Sequence, residues 1–489
     1  MLESLKAEAS ITYTENDAVT YSTTGSDCLD FFSSAGAIRG EDESEIIKRF
    51  MRAFAEDKDM AVKILFYTRD IREGLGERRV FRICLKWLAE NHPDSVKKNM
   101  AYIAVYGRYD DLFELLGTRC ETDMMEFVKR QFDEDMDAVT KEKSVSLLGK
   151  WLPSVNTSSS ETRKKALRVA EYLRMGPAAY RRALTVLRSK IKILENNLRT
   201  RDYTFDYSEQ PSRAMFKYKK AFIRNDGERY RAYLGKVSRG DAILHADNVS
   251  PYELIGPCLN NLYSNSLSNE EKQSLNVTWN SLPDYGNDED VLAVVDNSGS
   301  MYMSGRPVPA TVALSLGLYL AEHNRGAYRN HFITFSETPQ LIEIKGDDLV
   351  ERISYIASFS EVANTNIDAV FELILQTAVK NNLPQEQLPR RIIIISDMEF
   401  DEATSFPGET NYQNARENYA EAGYKLPDVV FWNVASRHSH QPVRKNEEGV
   451  ILVSGCTPKL FSMVAGGHLS PYSFMMEVIK SERYARITA

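Results

Sequence analysis

The stretch Val291-Leu-Ala-Val-Val-Asp296-Asn-Ser298-Gly-Ser300-Met301 decides how the second half of this chain folds. Its unbroken apolar run reads as a buried strand, and Asn297-Ser298-Gly299 turns the chain where that strand runs out. Asp296, Ser298 and Ser300 stand at alternate positions there and bring three oxygen donors to one bend. Two further fragments match it. Ile392-Ile-Ile-Ile395 is a second apolar strand that ends in Ser396-Asp397, and Asn364-Thr365-Asn366 opens an amphipathic helix. In an open parallel sheet, ligands gather outside the carboxyl ends of the strands. Asp296, Ser298, Ser300, Thr365 and Asp397 are therefore the candidate ligands of one magnesium ion, or another divalent cation, in an all-oxygen and roughly octahedral shell. Two simpler readings compete with this one. Asn297-Ser298-Gly299 is also an ordinary turn, and Thr365-x-x-Asp368 is also a capping box. Glu399 and Asp401, just beyond Asp397, read as a solvated acidic loop on the rim.

Around this stretch the grammar is that of an α/β domain. Apolar runs Val291–Val295, His331–Phe335, Ile392–Ile395, Val429–Val434 and Val450–Val453 alternate with helical stretches, as a mostly parallel, doubly wound sheet requires. The helix from Ile367 carries Val370, Phe371, Ile374 and Leu375 on one side and should pack on that sheet. Upstream the grammar changes. From about Glu43 to Tyr263 the chain reads as successive helices, with stripes at Ile46–Phe54, Met60–Tyr67, Val96–Val105, Met124–Phe132 and Ala166–Leu173. Val80, Ile83, Cys84, Trp87 and Leu88 show the spacing of a helix buried along one stripe. Many short helices without strands predict a helical-repeat array. Asn156–Ser160 reads as an exposed loop within it. Ser264–Asp290, rich in Ser, Asn and Asp, reads as a polar junction, so the chain divides into an all-α repeat region over residues 1–275 and an α/β domain over 285–489.

A chain of 489 residues is long enough for two such units. Its start lacks a signal-peptide pattern and no apolar run approaches a membrane span, which predicts a cytoplasmic protein with no membrane partner, and we expect a monomer. Cys28, Cys84, Cys120, Cys258 and Cys456 form no C-x-x-C pair and suit reduced, packed thiols. His438-Ser-His440 reads as a polar loop.

The net charge of −8 hides an asymmetry, because Arg163–Gly240 holds 21 basic and 7 acidic residues. Tyr180, Leu184, Leu187, Ile191, Leu194 and Leu198 would form the core stripe of one long helix. By the same arithmetic Arg181, Arg188, Lys192 and Arg199 line up along an exposed edge. Arg213, Lys217, Lys219, Lys220 and Arg224 follow, interleaved with Phe216, Tyr218 and Phe222. Such a surface suits RNA, with phosphates on the cations and bases on the aromatics. The competing reading is a solvated helix face with those aromatics in the core.

The set Asp-x-Ser-x-Ser with a distant Thr and a distant Asp resembles the metal-ion-dependent adhesion site (MIDAS) of von Willebrand factor A (vWA) domains. That resemblance implies an ion bound directly by hydroxyls, with its last position left for an acidic group of a partner. Thr14–Gly25, Phe66-Tyr-Thr-Arg69-Asp70-Ile-Arg72-Glu-Gly74-Leu-Gly76 and Tyr106-Gly107-Arg108-Tyr-Asp110-Asp111-Leu together resemble an uncharacterised family, a domain of unknown function, that fuses a helical region to a vWA domain. The architecture is distantly similar to the Ro autoantigen family, whose TROVE module is a ring of HEAT-like helical repeats closed by a vWA domain. It implies a noncatalytic, ribonucleoprotein-type scaffold that binds small or misfolded RNA through the basic helical region and a protein through the metal site. The alternative is a protein-assembly module that captures an acidic side chain at the metal site, without RNA. Neither needs an enzyme, and whether the helices close into a ring stays open.

Overall fold

The computed structural model describes residues 1–489 except 2–4, 6–7, 192, 287, 303–304, 336–337, 360–364, 403–408 and 468–469. Helices Asp27–Ser34, Glu43–Glu56, Lys58–Arg69, Arg79–Asn91, Pro93–Tyr106 and Glu121–Thr140 follow one another with short connections. Local chemistry sets their starts: the side chains of Ser26, Asp57 and Ser159 accept hydrogen bonds from backbone N–H groups of Leu29, Met60 and Thr162 that would otherwise be orphaned. Arg79–Asn91 buries Val80, Cys84 and Leu88 and leaves Ile83 and Trp87 partly covered, as the stripe predicts.

The long basic helix is broken. One helix runs Pro177–Lys190 and the next only starts at Leu194, after Ile193 takes an extended conformation with φ −72° and ψ 138°. Arithmetic at about 100° per residue therefore does not carry from the first helix into the second, so it no longer aligns Arg199 with Arg181. Lys192 lies outside the described residues, as does Asn364.

A two-stranded antiparallel sheet joins β1 (Ile11–Tyr13) to β2 (Val19–Tyr21). The main sheet contains β3 (Val291–Asp296), β4 (His331–Phe335), β5 (Gln340–Glu343), β6 (Arg391–Ser396), β7 (Asp428–Asn433) and β8 (Val450–Ser454), in the order β5-β4-β3-β6-β7-β8. All its pairings are parallel except β4 with β5. Alternate residues of each strand face opposite ways. Leu292, Val294, Ile392, Ile394, Val429 and Phe431 pack with Val370, Phe371 and Leu375 of the helix Ile367–Asn381. Val291, Ala293, Val295, Ile393 and Ile395 face the helix Pro309–His323 and, with Trp432, belong to the same core that fills the helical half. Gly317 lets that helix lie on β3: a Cβ there would sit 2.2 Å from Cγ2 of Val295.

The polar junction read over Ser264–Asp290 is itself packed. Residues Asn269–Asn280 form a helix that buries Leu275, Val277 and Trp279, and the Trp279 indole donates to Glu322 at 2.7 Å. Both chain ends also cross over. Gly36 N–H donates to Ser454 Oγ at 3.0 Å, and Tyr21 and Gln441 exchange backbone hydrogen bonds. At the other end Arg483 makes a forked bond to Asp70, at 2.7 and 2.9 Å, and Ile487 is fully buried.

Candidate metal centre and basic surface

The order of the main sheet reverses direction between β3 and β6, since the chain moves outward from β3 to β4 and β5, then returns to β6 on the other side. The crevice at such a switch point, outside the carboxyl ends of the strands, is where open α/β sheets bind ligands. β3 ends on Asp296, and Asp397 directly follows β6.

Backbone geometry aims both carboxylates. Ser298 N–H donates to Asp296 Oδ1 at 2.8 Å, and Ser396 Oγ donates to Oδ2 at 2.6 Å, so the carboxylate is fixed by its own turn and by the neighbouring strand. Ser298 Oγ and Ser300 Oγ lie 3.0 Å apart. Past Asp397 the chain turns through Met398, which has φ 70°, a left-handed conformation that costs a non-glycine residue about 1–2 kcal/mol. Met398 N–H donates to Ser396 Oγ at 2.9 Å, which helps hold that turn. Thr365 is buried, and its carbonyl accepts from Asp401 N–H at 3.0 Å, so it lies beside the segment that follows β6. Asn366, and not Thr365, caps the helix Ile367–Asn381. The capping-box reading of Thr365 therefore fails.

Electrostatics mark the place. Burial pushes the Asp296 carboxyl up, and the neighbouring Asp397 charge pushes it further. Burial also raises Asp397, against the pull of Arg437, Ser300 and the Glu399 N–H. Two buried carboxylates with hydroxyls between them make an all-oxygen donor set that suits a hard divalent cation, which would relieve their mutual repulsion. Asp296, Ser298, Ser300 and Asp397 are thus the residues that could hold it, with Thr365 alongside.

Sequence reasoning missed the residues around the cup. Arg437, in the loop after β7, donates to Asp397 Oδ2 at 3.1 Å and pairs with Glu15 Oε2 at 2.9 Å. Glu399 is not a solvated rim acid; it is 1% exposed, and although burial would raise its pKa, His440 at 2.9 Å and the Glu15 N–H hold it below the usual range. Only the local polarity of these segments was visible in sequence, since Arg437 and His440 stand about 40 residues from their partners and Glu15 hundreds.

The basic residues are brought together less well. Arg181, Arg199, Lys217, Lys220 and Arg224 are exposed. Arg188 is not on the exposed edge: it donates to Gly149 O at 2.9 Å, Leu152 O at 2.8 Å and Ser154 Oγ at 2.9 Å, and burial lowers its pKa. Lys219 is buried, with its ammonium 3.6 Å from the centre of the Phe216 ring, and burial pushes it down to about 8. Arg213 pairs with Glu253, and Lys220 with Glu271 at 3.1 Å. Phe222 is fully buried and Phe216 and Tyr218 are half-buried, so these rings serve the core.

The five cysteines are free, and among the described residues no helix is long and apolar enough to cross a membrane.

Comparison with known proteins adds relatives without assigned roles. The model of one family, "Domain of unknown function (DUF7788)", matches residues 290–475. The chain is 29% identical over 517 residues to "Uncharacterized protein L728" of Acanthamoeba polyphaga mimivirus, covering 96% of this chain and 88% of that protein. The crystal structure of the Ro (RSR) protein of Deinococcus radiodurans aligns with 93% of this chain and 99% of its own, at 11% identity and a TM-score of 0.34. A second family model covers residues 14–134 and 155–285, more than half of the sequence, and the chain belongs to that family, described as "Domain of unknown function (DUF2828)".

Proposed function

We propose that this protein is a noncatalytic binding scaffold. Its α/β half acts as a vWA-type domain whose cup holds a magnesium ion and offers it to an acidic group of a protein partner. The observation that carries this reading is the convergence of Asp296, Ser298, Ser300 and Asp397 at the switch point between β3 and β6. Manganese can stand in for magnesium as a spectroscopic probe. Electron paramagnetic resonance titration of the full chain should find one bound manganese per molecule, lost in Asp296→Asn, an almost isosteric change that keeps the fold. Equal binding by both proteins would overturn the reading.

RNA binding by the helical half is the second function, and it draws support from the exposed cations Arg181, Arg199, Lys217, Lys220 and Arg224 within a segment of 21 basic and 7 acidic residues. RNA contacts there go to phosphate, since the interleaved aromatics serve the core.

A further inference from the structure

The histidine pair that reads as a polar loop and the acid that reads as part of a rim meet a residue from the far end of the chain. Glu15 lies in the turn between β1 and β2, Glu399 two residues past Asp397, and His438 in the loop after β7. One carboxylate oxygen from each glutamate and a ring nitrogen of His438 lie within 4.8 Å of one another, and His438 Nε2 is 2.7 Å from Glu15 Oε1. Each carboxylate is also held from behind. Arg437 Nη1 grips Glu15 Oε2 at 2.9 Å. His440 Nε2 lies 2.9 Å from Glu399 Oε1, and the Glu15 N–H donates to Glu399 Oε2 at 2.9 Å. The His440 side chain is only 6% exposed, and among the described residues its Nδ1 has no hydrogen-bond partner.

We propose that Glu15, Glu399 and His438 form a second metal site, distinct from the oxygen cup and selective for a borderline transition dication such as zinc. The donor chemistry decides the class. An imidazole nitrogen with carboxylate oxygens suits zinc or cobalt, while magnesium prefers oxygen alone. Ligand bonds of about 2 Å require the three atoms to draw together slightly from their present spacing. Glu15 and His438 are 42% and 49% exposed, so their side chains have room to move and an ion has a way in, while Glu399 is fixed and buried. The ion takes the place of the proton between His438 and Glu15. Water fills the remaining positions. Arg437 and His440 act behind the ligands, orienting one carboxylate each, the role such partners play in metal sites generally. Because the ligands come from three distant segments, the ion clamps the N-terminal strand pair onto the rim of the cup.

The test is zinc uptake by the full chain, measured by competition with a chromophoric chelator, with cobalt(II) as a visible-spectrum probe. One zinc should bind and survive a large excess of magnesium, and it should raise the melting temperature. Glu15→Gln and His438→Ala should each weaken binding by at least about 100-fold, and His440→Ala by about 10–100-fold. Glu15→Gln is close to isosteric and half-exposed, so a folding defect does not obscure it. Asp296→Asn should leave zinc binding and the cobalt spectrum unchanged, which separates this site from the magnesium cup. The proposal is overturned if no stoichiometric zinc binds in competition with the chelator. It is equally overturned if zinc is lost in Asp296→Asn and kept in His438→Ala, because the ion would then occupy the cup.

Discussion

The cup and the basic surface were both read from spacing, yet they fare differently once folded. The cup depends on where strands end, and a parallel sheet with a fixed register puts Asp296 and the residue after Ser396 at the same edge whatever the loops do. The basic stripe depends on a helix staying a helix for five turns, and an extended Ile193 is enough to undo it. Spacing along a strand end constrains position in space more firmly than spacing along a helix of unknown length. Arg188 of the stripe and Lys219 of the segment after it also behave as parts of the core.

The sharpest test of that contrast is Arg188→Ala. If Arg188 ties down the carbonyls of Gly149 and Leu152, in and just after the short helix Leu148–Trp151, its loss leaves buried acceptors unpaired and should cost about 3 kcal/mol of stability. Urea denaturation at fixed salt would measure it. A change below about 0.5 kcal/mol, as for ordinary surface substitutions, would return Arg188 to the exposed edge.

Next in size is the cup. With magnesium at 100 times its dissociation constant, the ion should stabilise the wild type by about 2.7 kcal/mol. Asp296→Asn should abolish that increment, and Arg181→Ala should leave it intact. Thermal denaturation with magnesium or with a chelator reads both, and an increment that survives in Asp296→Asn breaks the assignment of Asp296 as a ligand.

What was legible in sequence follows the same division. The parallel strands β3, β4, β6, β7 and β8 announce themselves as apolar runs because both faces are buried. β5, Gln340-Leu-Ile-Glu, does not, since only Ile342 is buried and Leu341 is 56% exposed at the sheet edge. β1 and β2 are too short for a period to show. Ser264–Asp290 reads as a polar junction because its polar residues cap and flank a helix, while Leu275, Val277 and Trp279 do the packing. Within the cup Asp296, Ser298, Ser300 and Asp397 were legible as a pattern. Ser396, Arg437 and Glu15 were not, because their roles arise only when β3 meets β6 and the N-terminal turn meets the loop after β7.

Lys219 tests whether a basic residue of this segment belongs to the core. Its ammonium is disfavoured by burial, which lowers its pKa to about 8 from 10.5, although Glu271 opposes the shift. A base with a depressed folded pKa binds fewer protons folded than unfolded between those values. Stability from this group should therefore be lowest below pH 8 and recover as pH rises toward 10.5. Lys219→Met should remove that rise and stabilise the protein near neutral pH. A pH profile parallel to that of the wild type would mean the ammonium reaches solvent.

The smallest effects belong to the exposed cations, and they matter because they separate RNA binding from fold. Lys217, Lys220 and Arg224 stand on the exposed side of the helix Ser212–Asn225, so alanine at each should change stability by no more than about 0.5 kcal/mol. If each touches a phosphate, each substitution should lower the slope of log affinity against log salt by about 0.7–0.9 and weaken all RNA sequences alike. Lys220 should contribute least, because Glu271 already occupies it at 3.1 Å and must be displaced before a phosphate can bind. Fluorescence anisotropy with a single-stranded RNA of mixed sequence, repeated over a range of salt, gives the slope directly. A triple variant that folds normally and keeps the wild-type slope would remove this helix from the RNA surface. Wild-type protein that binds no RNA even at low salt would leave the metal cup as the one grip of the scaffold.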